Sequence, residues 1–154
     1  MIFDIKIKEI TQEELTDLFS AGMTGSGWLQ CDLPDKEVFM KKVGISAEEY
    51  DKLCIEDMLA MLICKGEKVR FEDLYAEDKD EINGNIGKWD VDNDCAYYMI
   101  GMDEIKSGLE KAGNGKEWGR ECFLCLADGE RTNLDFPRAD CLMQTILFGE
   151  LVYG

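Results

Sequence analysis

The chain contains no histidine. That removes the commonest general acid–base side chain and the commonest metal ligand. It also forbids the usual histidine-based nucleophilic triad. Basic residues are few: 17 Lys and Arg stand against 33 Asp and Glu, a net charge of −16 over 154 residues. Such a charge repels nucleic acid and anionic membrane, and it favours encounter with basic surfaces. There are only 2 prolines and no low-complexity linker. Long apolar runs are missing too. Met58-Leu59-Ala60-Met61-Leu62-Ile63 falls far short of the roughly 20 residues that span a bilayer. The opening Met1-Ile2-Phe3-Asp4 has early charge and no apolar h-region, which predicts no signal peptide and a bacterial cytoplasmic location.

What is present is enough to fold. Hydrophobic residues make up 45% of the chain and aromatics 10%, sufficient for one domain over residues 1–154 with its own core. The 7 cysteines are odd in number and lack a secretion signal, so a disulfide framework is not expected; buried thiols are.

Local patterns supply the elements. Ile2, Phe3, Ile5 and Ile7 alternate with Asp4, Lys6 and Lys8, predicting a first strand. Thr11 and Glu14 form a capping box ahead of a helix carrying Leu15, Leu18 and Phe19. Gly22, Gly25 and Gly27 mark a turn before a short strand at Trp28-Leu29. Ser46 and Glu49 form a second capping box, predicting a helix from there to about Cys64, stopped at Gly66. Its stripe is Tyr50, Leu53, Cys54, Met58, Met61 and Leu62, widened by Leu59 and Ile63. Val69–Phe71 and Ala96–Ile100 read as strands, and Asn83-Gly84 as the turn of a hairpin-like loop. Asp103 is the expected cap of a helix reaching Ala112, and a shorter helix follows over 118–126. Ala127 to Asp135 reads as a polar loop. The sum is an α+β fold: a small, mainly antiparallel sheet with two longer amphipathic helices packed on one face.

The C-terminal stretch is the clearest. Pro137 suits a first helical turn, since it has no N–H to waste. Ala139, Leu142, Met143, Ile146 and Leu147 recur at helical spacing. Gly149 sits where a helix end favours a left-handed residue, and Leu151-Val152-Tyr153 has β-forming character. Ala139, Asp140, Leu142, Gln144, Leu147, Phe148, Gly149, Glu150, Val152, Tyr153 and Gly154 together resemble the ending of a family of small uncharacterised bacteriophage and mobile-element proteins. In that family a helix precedes a Gly-rich turn with an aromatic, and Gly25-Ser26-Gly27-Trp28 is similar. The resemblance implies a mobile-element origin and brings no activity with it.

Three chemistries can be weighed. Acid is concentrated at Glu72, Asp73, Glu77, Asp78, Asp80, Glu81, Asp90, Asp92 and Asp94, against Lys79 and Lys88. These nine are the candidate partner-binding residues of a non-enzymatic protein. They would present acid to a basic nucleic-acid-handling protein, as a DNA mimic does. With a mobile-element origin, the expected partner is a host-defence nuclease such as a CRISPR effector. Asp90–Asp94 is no EF-hand, because Cys95 and Gly101 stand where glycine and glutamate are required. Second, Cys122 and Cys125 form a CxxC that, with Cys141 and Cys95, could hold a structural zinc ion. No other cofactor is indicated. Third, clustered carboxylates with a divalent metal could hydrolyse phosphate esters, but a nuclease needs basic surface to hold its substrate.

Overall fold

The computed structural model describes residues 5–23, 26–115, 117–127 and 134–154. In chain order the elements are α1 (Gln12–Met23), β1 (Leu29–Asp32), α2 (Lys36–Val43), α3 (Ala47–Tyr50), α4 (Ile55–Cys64), β2 (Val69–Asp73), β3 (Lys88–Asp90), β4 (Cys95–Ile100), α5 (Met102–Gly113), α6 (Glu117–Ala127) and α7 (Phe136–Phe148). The strands form one antiparallel sheet in the order β1-β2-β4-β3. This is the α+β architecture that the sequence patterns predict.

The sheet has two unlike faces, and strand alternation sets them. Leu29, Val69, Phe71, Asp73, Ala96, Tyr98 and Ile100 point inward and are buried. Helices cover this side: Phe19 of α1 packs on Phe71, and Phe148 of α7 on Tyr98. Arg70, Glu72, Cys95, Tyr97, Met99 and Asp90 alternate with these residues and form the opposite face.

Helix α7 is the hub of the helical layer, packed against α1, α5 and α6. Every residue from Cys141 to Phe148 is buried. Asp135 caps it, accepting from the Arg138 N–H at 3.1 Å, and Gly149 ends it at φ 80°. The crossing with α5 is close because Gly108 has no side chain there. A Cβ on Gly108 would lie 2.5 Å from the Ile146 Cα.

Both predicted capping boxes form. The Glu14 N–H reaches the Thr11 hydroxyl at 3.1 Å, and the Glu49 N–H reaches Ser46 at 3.2 Å. The helix expected from Ser46 to Cys64 is instead two. Asp57 accepts from the Cys54 N–H at 3.0 Å and caps a new start, so α3 ends after one turn. Cys54 is consequently exposed, and the buried face of α4 is Leu59, Ala60, Leu62 and Ile63. Helix α2, which no pattern announced, buries only Phe39 and Val43. Helix α5 is capped at Gly101, whose N–H donates to Glu104 at 2.7 Å; Asp103 lies inside its first turn. The hairpin turn is at Asp90–Cys95 between β3 and β4, not at Asn83-Gly84.

Among the described residues, neither 5–11 nor 151–154 is a strand. Residues 2–4, Gly25 and most of the predicted 127–135 loop lie outside the described residues. The Ile5 N–H donates to the Asn114 side chain at 2.7 Å, and the Asn114 amide donates to the Ile5 carbonyl at 3.1 Å. Ile7 N–H reaches Glu110 at 2.7 Å. Side chains at the end of α5 thus occupy backbone groups that a neighbouring strand would have taken. Leu151–Tyr153 is held the same way, by Gln144. Among the described residues, no helix is long and apolar enough to cross a membrane.

Candidate functional site

The nine predicted acidic residues fall into three environments. Asp73 does not belong to a presenting surface. It is fully buried at the inward end of β2, where it accepts from the Tyr75 N–H at 3.0 Å and the Tyr153 hydroxyl at 2.7 Å. Strand alternation put it there, and proximity in sequence to Glu72 concealed the difference.

Glu72 and Asp90 lie on the open sheet face and share one cation. The Arg70 guanidinium donates to Glu72 at 2.9 Å and to Asp90 at 2.6 Å, and it stacks over the Tyr97 ring at 4.2 Å. The Cys95 thiol donates to Glu72 at 3.2 Å. Asp90 also closes the hairpin, accepting from the Asp92 and Asn93 N–H groups at 3.1 Å each. Hydrogen bonds from Asn93, then from Arg70, hold its carboxyl down at about 2. Asp94 completes the turn in the left-handed region at φ 55°, which an aspartate tolerates better than most residues. Asp90 is thus committed to its own turn and to Arg70.

Glu77, Asp78, Asp80, Glu81, Asp92 and Asp94 are the exposed group. The first four follow β2 and surround a single 3-10 turn, Lys79–Glu81. The turn is fixed by its own acids. Asp78 accepts from the Asp80 N–H at 2.9 Å, and Glu81 accepts from the Glu77 N–H at 2.8 Å. Asp78 and Glu81 therefore shape the segment, while Glu77 and Asp80 contribute only backbone N–H groups to these bonds.

A polar lock that sequence reading did not single out lies beside this segment. Gln144 is fully buried in the middle of α7. Its carbonyl accepts from the Val152 and Tyr153 N–H groups at 2.8 Å each, and its amide donates to Asp140 at 2.8 Å and the Tyr153 carbonyl at 3.0 Å. Asp140 in turn accepts from the Trp28 indole at 2.8 Å. Tyr153 packs on Trp28, Tyr75 and Phe148. Burial, then the hydrogen bond to Asp73, pushes the Tyr153 phenol up; burial, then the Asp73 charge, does the same to Tyr98. The signal for the lock was a glutamine inside an otherwise apolar helical stripe. Asp140, Gln144, Phe148 and Tyr153 all have structural tasks in this lock.

Of the four cysteines named for zinc, Cys122, Cys125 and Cys141 lie near one another, but Cys95 is not with them. Cys95 stands on the open sheet face, tied to Glu72 and Arg70. Cys122 and Cys141 are buried between α6 and α7 on the other side of the sheet. β-strand alternation turns Cys95 away from the helices, a relation that spacing in sequence does not show. Among the described residues, no group of three or more Cys, Asp or Glu has the geometry to hold a metal ion.

A cavity of about 410 Å³ lies between α5, α7 and Asn85–Ile86, with Asp103, Glu104, Ser107 and Lys111 on its wall. Glu104 is already engaged by the Gly101 N–H and by Lys68 at 3.3 Å. No family model, curated protein or solved structure matches this chain.

Proposed function

We propose that this is a non-enzymatic binding protein of bacteriophage or mobile-element origin, acting in the bacterial cytoplasm. It presents carboxylates to a basic nucleic-acid-handling host protein and blocks the site where phosphates would lie. The partner class is a defence nuclease, such as a CRISPR effector. The observation that carries the reading is the segment after β2. Four exposed carboxylates are gathered within five residues, on a turn that Asp78 and Glu81 fix through backbone hydrogen bonds. A preorganised acid array loses less conformational entropy on binding than a flexible one, and a net charge of −16 speeds its encounter with a basic groove.

Reversing Asp78 or Glu81 would dismantle the turn, whereas Glu77→Lys with Asp80→Lys leaves its hydrogen bonds in place. The tagged protein and this double variant are used to capture partners from a bacterial lysate at low and at high salt. The expected result is a nucleic-acid-binding protein that is released by salt, displaced by duplex DNA, and absent from the variant's eluate. Equal capture of the same proteins by both forms, or insensitivity to DNA, overturns the reading.

A further inference from the structure

Two of the seven cysteines face each other across a helix interface. Cys122 of α6 and Cys141 of α7 are both buried, at 0% and 3% exposure, and their thiols are hydrogen-bonded to one another. Cys141 also lines a cavity of about 480 Å³ whose other walls include Lys111, Trp118, Gly119 and Leu151. One cysteine of the pair therefore borders a space that a small molecule can occupy, and the other does not line it.

The surroundings of Cys141 favour its thiolate. The Cys141 thiol is lowered from its ordinary value, chiefly by its hydrogen bond with Cys122 and further by that with Trp118, against the effect of burial. Thr145 lies beside the same sulfur but gives its proton to the Cys141 carbonyl at 2.9 Å. Elsewhere the tendency is opposite: burial pushes the thiols of Cys31, Cys64 and Cys95 up. Reactivity toward oxidants follows thiolate character and access together.

We infer that Cys141 is a peroxide-reactive thiol, with Cys122 as its resolving partner and the 480 Å³ cavity as the oxidant's way in. In the first step the Cys141 thiolate attacks one oxygen of hydrogen peroxide or a small hydroperoxide. The O–O bond breaks, and the leaving hydroxide or alkoxide takes a proton, while Cys141 becomes a sulfenic acid. In the second step the Cys122 sulfur attacks the Cys141 sulfur. The S–S bond forms, the S–O bond breaks, and the departing hydroxide leaves as water with the Cys122 proton. Two thiols lose two electrons and two protons, and the peroxide takes them up to become water, or water and an alcohol. The pairing depends on the contact between α6 and α7, so it belongs to the folded chain.

The test treats the reduced, purified protein with hydrogen peroxide, blocks the remaining thiols with an alkylating agent, and reads intact mass and peptide maps. The expected result is loss of the mass of two hydrogens, loss of two alkylatable thiols, and one linked peptide pair joining Cys122 to Cys141, reversed by dithiothreitol. Unfolding the protein in denaturant before oxidation should abolish the preference for that pair. Cys122→Ser should halt at a sulfenic acid on Cys141, trapped by dimedone, and Cys141→Ser should lose the linkage. Should a variant fail to fold, alkylation rates in the native wild-type chain replace it: Cys141 should label ahead of Cys31, Cys95 and Cys122. A linkage of Cys122 to Cys125, oxidation confined to exposed Cys54 and Cys64, or no loss of mass overturns the inference.

Discussion

The two ends of the described chain reach the same kind of solution in different surroundings. Each reads as a β-strand in sequence, and each is instead held by the carboxamide of a helical side chain. Asn114 does this for Ile5 at an exposed position, through one bond in each direction. Gln144 does it for Val152 and Tyr153 from a fully buried position, and is itself held by Asp140. The same chemistry has different worth in the two places. An exposed bond exchanges with water at small net gain, whereas a buried carboxamide stripped of its partners pays its whole desolvation penalty.

The largest break in that comparison comes from Gln144→Leu. It removes the acceptor of two N–H groups and leaves Asp140 with only Trp28, at a cost of about 3 kcal/mol; urea unfolding should show the fall in midpoint. Next is Tyr153→Phe, which takes the hydroxyl from buried Asp73 and costs about 2 kcal/mol, read by thermal denaturation. That variant also sharpens the pH behaviour. The phenols of Tyr153 and Tyr98 are raised in the fold, so their neutral forms are favoured there. The stability they contribute is complete below the ordinary tyrosine value of about 10 and is lost as pH rises beyond it. Tyr153→Phe should therefore flatten the alkaline decline of stability. Asn114→Ala, at the other end, should cost about 1 kcal/mol or less and speed amide hydrogen exchange at Ile5 while leaving Tyr153 protected.

The smallest expected effect lies on the open sheet face. With its folded carboxyl held at about 2, Asp90 contributes stability that is present above its ordinary value and lost as pH falls toward 2. Arg70→Met removes one of the two side-chain donors, and the Asp90 carboxyl, followed by NMR titration, should move up toward the ordinary carboxylate range. Retention of the low value would assign it to Asn93 and the hairpin turn alone.

What could be read from the sequence was local and chemical. Thr11 with Glu14 and Ser46 with Glu49 announce helix starts because the bonds they make span three residues. Gly149 announces a helix end for the same reason. Long-range satisfaction was illegible: alternating Ile5 and Ile7, or Val152 with Tyr153, look alike whether a strand or a helical carboxamide answers their backbone. Helix α2 escaped because Phe39 and Val43 alone are buried among exposed charges, too thin a stripe for periodicity. Among the acids, composition named a stretch but not a face. One β-strand step separates Glu72 on the open side from Asp73 in the core, and the same step sends Cys95 away from Cys122 and Cys141.

The place of α7 has a consequence for how the chain is made. Helix α1 finishes at Met23 and can meet α4 early, but of its later neighbours α6 begins at Glu117 and α7 only at Phe136. At ribosomal speeds of about 5–20 residues per second, that gap lasts on the order of ten seconds. For that time a flank of α1 built to touch α7 has nothing to rest on. Contacts so distant in sequence also slow closure once synthesis permits it. That flank of α1 therefore stays open to other apolar surfaces until α7 emerges and covers it.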